Sequence, residues 1–163
     1  MEPVLEAASN TSERRTGSHT RYEDDFYTWA LEQVELLRAG RFNEIDAKNI
    51  AEELSDIPHA LYDRLQISLK VLLMHMLKWD RQPEHRIRTW WFAIAEQRRR
   101  IKRLLDENPG LKARLEEAVT EGYHNARPWG ALECVVVESE FPPECPYTWD
   151  EIMSRPFEFE SVK

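Results

Sequence analysis

Apolar residues return at helical spacing along most of this chain, and their faces mark out five or six helices. From about Asp24 to Ala39, Phe26, Ala30, Val34 and Leu37 share one face, widened by Trp29 and Leu36. Asp24 and Asp25 favour the positive end of that helix, and Gly40 stops it. A second helix is expected over about Asp46 to Ile57, with Ala47, Ile50, Leu54 and Ile57 as its stripe. Pro58 lacks the N–H that a continuing helix uses, so a break or kink is expected there. The third helix, about His59 to Trp79, is apolar almost all round from Ile67 to Leu77. A helix of that kind belongs in the middle of a bundle.

The fourth helix, about Thr89 to Glu107, turns Trp90, Ile94, Ile101, Leu104 and Leu105 to one side. Asn108-Pro109-Gly110 is a stop and restart signal. A fifth helix is expected from about Leu111 to Ala126, and a short sixth from Pro128 to near Glu138. Thr148 with Glu151 makes a capping box for a last helical turn. Val135-Val136-Val137 is too short and isolated to build a sheet. Only five glycines are present, few for a sheet protein with its many turns. The expectation is an all-α, up-and-down bundle of about five to six helices around a central hydrophobic helix. Residues 1–20 are polar and aperiodic, and are expected to be a disordered tail. Residues 21–157 are expected to form one helical domain, with a short C-terminal tail at 158–163.

Six blocks carry a resemblance. They are YEDDFYTWALEQVELLRAGRF, IDAKNIAEELSDI, LLMHMLKWDRQPE, TWWFAIAEQRRRI, NPGLKARLEEA and FPPECPYTWDEI. In this order they resemble the bacterial domain-of-unknown-function family 29, over about Tyr22 to Phe157. The resemblance implies a mostly helical fold and a bacterial cytoplasmic setting, and implies no activity. Pro58 departs from the family's usual polar residue or glycine near that point, so a sharper break is expected here.

Charge narrows the function classes. The chain carries a net charge of −8, which repels nucleic acid and anionic lipid unless a local patch overrides it. Such a patch exists: Lys78 to Arg103 holds nine bases against three acids. Arg98, Arg99, Arg100, Lys102 and Arg103 are its centre, and a phosphate or nucleic-acid contact is one reading of them. The plainer reading is neutralisation by acidic neighbours, since residues 22–57 and 133–163 are both rich in acids. The two cysteines, Cys134 and Cys145, form no CxxC pair and fit a reducing cytoplasm, with a bridge between them the lesser alternative. The N-terminus has no apolar signal region, and the longest nearly apolar run, Ile67 to Leu77, is too short to span a membrane.

Four polar residues stand on or beside apolar faces, and are the candidate pocket or buried network: Glu53, His75, Lys78 and Gln97. His75, inside LLMHML, must find a partner for its ring, and Glu53 is the carboxylate proposed for it. Gln97 lies between Ile94 and Ile101 and calls for a hydrogen-bond partner if buried. His59, His85 and His124 are the other candidate ligands, but none stands three or four residues from His75, so no metal site and no cofactor is expected. The adjacent Trp90 and Trp91 point about 100° apart, so Trp90 suits the core and Trp91 either a neighbouring subunit or the core. The function expected first is non-enzymatic, through contacts with a second copy or a protein partner. A small enzyme or ligand-binding bundle using Glu53 and His75 comes second, and nucleic-acid binding third.

Overall fold

Five α-helices cover most of residues 19–158, which are the residues that the computed structural model describes. They are α1 (Phe26–Arg38), α2 (Ala47–Arg81), α3 (Arg88–Glu107), α4 (Leu115–Cys134) and α5 (Trp149–Ser154), and no strand occurs among the described residues. The protein is an all-α bundle. Expectations for a tail over residues 1–18 and 159–163 lie outside the described residues. The next residue but one, Thr20, is not loose: its backbone N–H and hydroxyl both donate to Glu32, each at 2.8 Å.

Two pairs of expected helices are each one helix. The second and third merge into α2, which runs through Pro58, and α4 runs through Pro128. The physical reason is exposure. Each proline deprives one carbonyl four residues earlier of its donor, at Leu54 and His124. Both of those residues are exposed, where solvent can supply the missing bond. The start of the fifth helix is also later than expected, because Pro109–Arg114 is wound as a tighter 3₁₀ turn.

The chain forms two compact units, Met1–Leu54 and Ser55–Lys163, where one domain over 21–157 is the expectation from sequence. In the first unit, Asp25 caps α1 by accepting from the Thr28 N–H at 3.1 Å. Gly40, at φ 70°, ends the helix. There the Arg41 N–H reaches the Leu36 carbonyl and the Gly40 N–H reaches that of Leu37, the paired closure that a left-handed residue allows. The buried side of α1 is Trp29, Gln33 and Leu36, not the expected Phe26, Val34 and Leu37. Gln33 decides this. Its side-chain oxygen accepts from the Asp46 N–H at 2.7 Å, which draws the 29/33/36 face onto the start of α2. Tyr22 completes the unit, with its ring edge-on to Trp29 at 4.9 Å and its hydroxyl donating to Glu53 at 2.5 Å.

The second unit holds the main core. Leu65, Leu69, Leu72, Leu73 and Met76 of α2 have no exposed surface, as the all-round apolar pattern foretold. Burying each such side chain contributes roughly 1.5–3 kcal/mol. Ile94, Ile101 and Leu105 of α3 cover one side, and Ala118, Tyr123 and Ala126 of α4 another. Close pairs between α2 and α4 rise together along both helices: Leu69 with Gly122, Leu77 with Gly130, Gln82 with Cys134. These two helices are therefore parallel. α3 runs antiparallel to α2, since Lys78 meets its start at Trp90 and Arg64 shares a cleft with its end at Glu107. The order is up, down, up, as short connections require. Phe157 closes the core edge-on to Trp79 at 5.5 Å. The capping box at Thr148 and Glu151 is present at the start of α5.

Candidate functional site

Lys78 is the most unusual polar residue of the core, with 5 % of its surface exposed. A buried ammonium is stable only when paired and hydrogen-bonded. Its Nζ donates to the Glu133 carboxylate of α4 and stands 4.3 Å above the ring of Trp90 on α3. Three helices thus converge on one charge. Glu133 was not picked out as a site residue from sequence. The signal available was coarse: a basic segment from Lys78 onward and an acidic one from Glu133 onward. Arg81 with Glu140 is a second pair between the same two segments.

His75 lies one turn before Lys78 on α2. Its ring contacts the Val71 carbonyl at 2.8 Å through Nδ1. A carbonyl only accepts, so Nδ1 carries the hydrogen and Nε2 the lone pair. Burial pushes the imidazole below its ordinary value of 6.5. Lys78 adds to that, while the Val71 bond and Glu133 oppose it. The sign for stability follows. A base whose folded pKa is depressed leaves the unfolded state holding more protons, so stability drops as pH falls through about 6.5 towards the folded value. In thermal melts between pH 7.5 and 5, the wild type is expected to lose stability relative to His75→Gln. A gap between the two that stays constant across that range would remove this account.

Glu53 is not the partner of His75. About six turns of α2 separate the two positions, and Glu53 is engaged by Tyr22 within the first unit. Gln97 is only partly buried and makes no hydrogen bond among the described residues. Its amide keeps access to water, so it has no need of the expected cross-bundle partner. Of the four candidates, the structure therefore brings together His75 and Lys78 alone.

The basic patch splits into residues with different work. Arg98 faces inward and donates to the carbonyls of Ile152 (2.7 Å), Arg155 (2.8 Å) and Glu151 (3.0 Å). Those carbonyls lie at and just past the C-terminal end of α5, where helix geometry leaves acceptors open, although that of Glu151 also accepts from the Arg155 N–H at 3.2 Å, so Arg98 clamps α5 onto α3. Arg99 and Arg100 share Glu96, and Lys102 pairs with Asp106 at 2.6 Å. Arg103 makes no hydrogen bond or ion pair among the described residues, although its charge helps to hold the Glu96 carboxyl below its ordinary range. Trp91 also serves the fold, because its indole N–H donates to the Phe157 carbonyl at 2.9 Å.

A cleft of about 740 Å³ opens along α4, lined by residues that include Glu121, Tyr123, His124 and Cys145. Glu121 and His124 stand three apart on one helix face, a spacing that can serve a metal and that the sequence itself displays. Among the described residues, no three His, Cys, Asp or Glu side chains are grouped to hold an ion. Burial pushes the Cys145 thiol above its ordinary range, and nearby Glu151 pushes it further. That is the opposite of an activated nucleophile. Tyr123, held at about 12 by burial, donates to the Pro142 carbonyl at 2.8 Å.

The first unit offers a surface rather than a pocket. Phe26, Tyr27, Leu31, Val34 and Leu37 of α1 are between 39 % and 73 % exposed. At 3.6 residues per turn they span about 140° of the helix, beside the buried Trp29/Gln33/Leu36 side.

Comparison with curated proteins and with solved structures finds no match for this chain. A family model described as a domain of unknown function, DUF29, matches residues 21–158, and the chain belongs to that family.

Proposed function

We propose that this protein works by binding a protein surface, a second copy of itself or a different chain, through the exposed apolar face of α1. The observation that carries the reading is the distribution of apolar residues around that helix. A helix that is apolar on most of its circumference needs neighbours on more than one side. The Trp29 and Leu36 side has its neighbour within the first unit, whereas Phe26, Tyr27, Leu31, Val34 and Leu37 remain exposed. Contiguous exposed apolar residues of this kind mark interaction sites in soluble proteins. Free thiols at both cysteines suit a reducing cytoplasm, and no helix among the described residues is long and apolar enough to cross a membrane.

The test is light scattering of the purified chain across a concentration series, with affinity capture from cells beside it. The wild type is expected to self-associate or to retain a partner. Leu31→Glu with Val34→Glu is expected to abolish that, with an unchanged thermal melt because both positions are exposed. A strictly monomeric wild type that retains nothing, or association that survives the double substitution, would refute the reading.

A further inference from the structure

A cleft of about 370 Å³ lies between α2 and α3 in the second unit, and the function proposed above makes no use of it. Arg64 and Ser68 enter it from α2, four residues apart and so on one helix face. Arg100, Arg103 and Leu104 enter it from α3, again at spacings of three and four. Arg100 is committed to Glu96. Arg64 and Arg103 are not: neither donates a hydrogen bond or makes an ion pair among the described residues. On a chain with a net charge of −8, two guanidinium groups without an ion pair line one cleft from neighbouring helices.

We infer that this cleft binds a small phosphomonoester, with Arg64 and Arg103 holding the phosphate. The charge balance of the cleft favours an anion. Arg64, Arg100 and Arg103 stand against two carboxylates, Glu96 and Glu107, a surplus of one positive charge. A carboxylate ligand would satisfy one guanidinium fork. A phosphomonoester presents three terminal oxygens, enough for two forks and the Ser68 hydroxyl. Ile67 and Leu104 give the cleft an apolar wall for the organic group, and its volume falls within the range of small-ligand sites. The same volume and the confinement to two helix faces disfavour a long nucleic-acid track.

The test uses the full-length ¹⁵N-labelled protein and follows the arginine Nε–H resonances. Phenyl phosphate is the probe, with inorganic phosphate, benzoate and a single-stranded oligonucleotide as separate arms. Phenyl phosphate is expected to move the Arg64 and Arg103 resonances in a saturable way, at least tenfold more tightly than inorganic phosphate or benzoate. Arg64→Gln with Arg103→Gln is expected to weaken it at least tenfold with an unchanged melt. Arg64→Lys with Arg103→Lys keeps the charge but loses the fork, and is expected to fall between; it decides the matter should the glutamine variant not fold. Non-saturable shifts spread over Arg86 and Arg88 as well, equal binding by the double glutamine variant, or tighter binding of the oligonucleotide at the same resonances would each overturn the proposal.

Discussion

Replacing Glu133 by alanine is expected to destabilise the protein by about 2–3 kcal/mol, while Lys78→Met costs less than about 1 kcal/mol. The asymmetry comes from where the two charges sit. Lys78 is buried beneath Trp90, whereas the Glu133 side chain keeps 40 % of its surface in water. Removing the acid leaves an ammonium in the core with one ring face for company. Removing the lysine leaves a carboxylate that water can solvate, and methionine fills the stem's volume with flexible apolar atoms. The partial exposure of Glu133 is why the figure stays below the 3–5 kcal/mol typical of breaking a fully buried pair. Urea or thermal unfolding of both single variants and of Lys78→Met/Glu133→Leu measures it. The double variant is expected to lie within about 1 kcal/mol of the wild type. A Lys78→Met variant that costs as much as Glu133→Ala would show that the pair, not the stranded charge, carries the energy.

The second large effect is expected at Gly122. A methyl group there would sit 2.9 Å from the Leu69 Cβ, with the Lys70 backbone nitrogen at 3.5 Å. The nearest atom is anchored to a helix backbone and cannot swing away. Either α2 and α4 separate or the side chains around Leu69 leave their rotamers. Gly122→Ala is therefore expected to destabilise by about 2 kcal/mol, even though alanine is intrinsically the better helix former by about 1 kcal/mol. Gly110 is the internal control: nothing lies within 4 Å of a Cβ built there. If Gly122→Ala raised the melting temperature, the close crossing of α2 and α4 would be wrong.

The candidate sites were legible in an uneven way. His75 and Lys78 stood out because each interrupts an apolar run, and an ionisable group in such a run must have an arrangement made for it. Glu133 did not stand out, since it sits in a mixed stretch of α4 where nothing local marks it. Glu53 suggests itself for His75 because it borders the apolar stripe of its helix and could face the core. α2 continues through Pro58, and the two residues fall in different units. Arg98 and Arg100 both flank the apolar stripe of α3, yet Arg98 alone turns inward, because the C-terminal carbonyls of α5 lie opposite it. Arg64 carried no signal at all. Its interest depends on Arg103, 39 positions later and on another helix.

By itself, the amino-acid order determined the all-α class, the all-round apolar segment that became the core of the second unit, the end of α3 at Asn108-Pro109-Gly110, and the capping box before α5. Each of these is local: it depends on helical periodicity, on a missing N–H, or on a side chain three residues from the group it caps. The tertiary structure alone decided whether Pro58 and Pro128 interrupt their helices, which side of α1 is covered, and which acid meets Lys78. Those outcomes turn on what lies opposite a residue and on whether water can reach it. Helical spacing names the residues on a face, but the neighbour across that face comes from another part of the chain, and only packing brings it there.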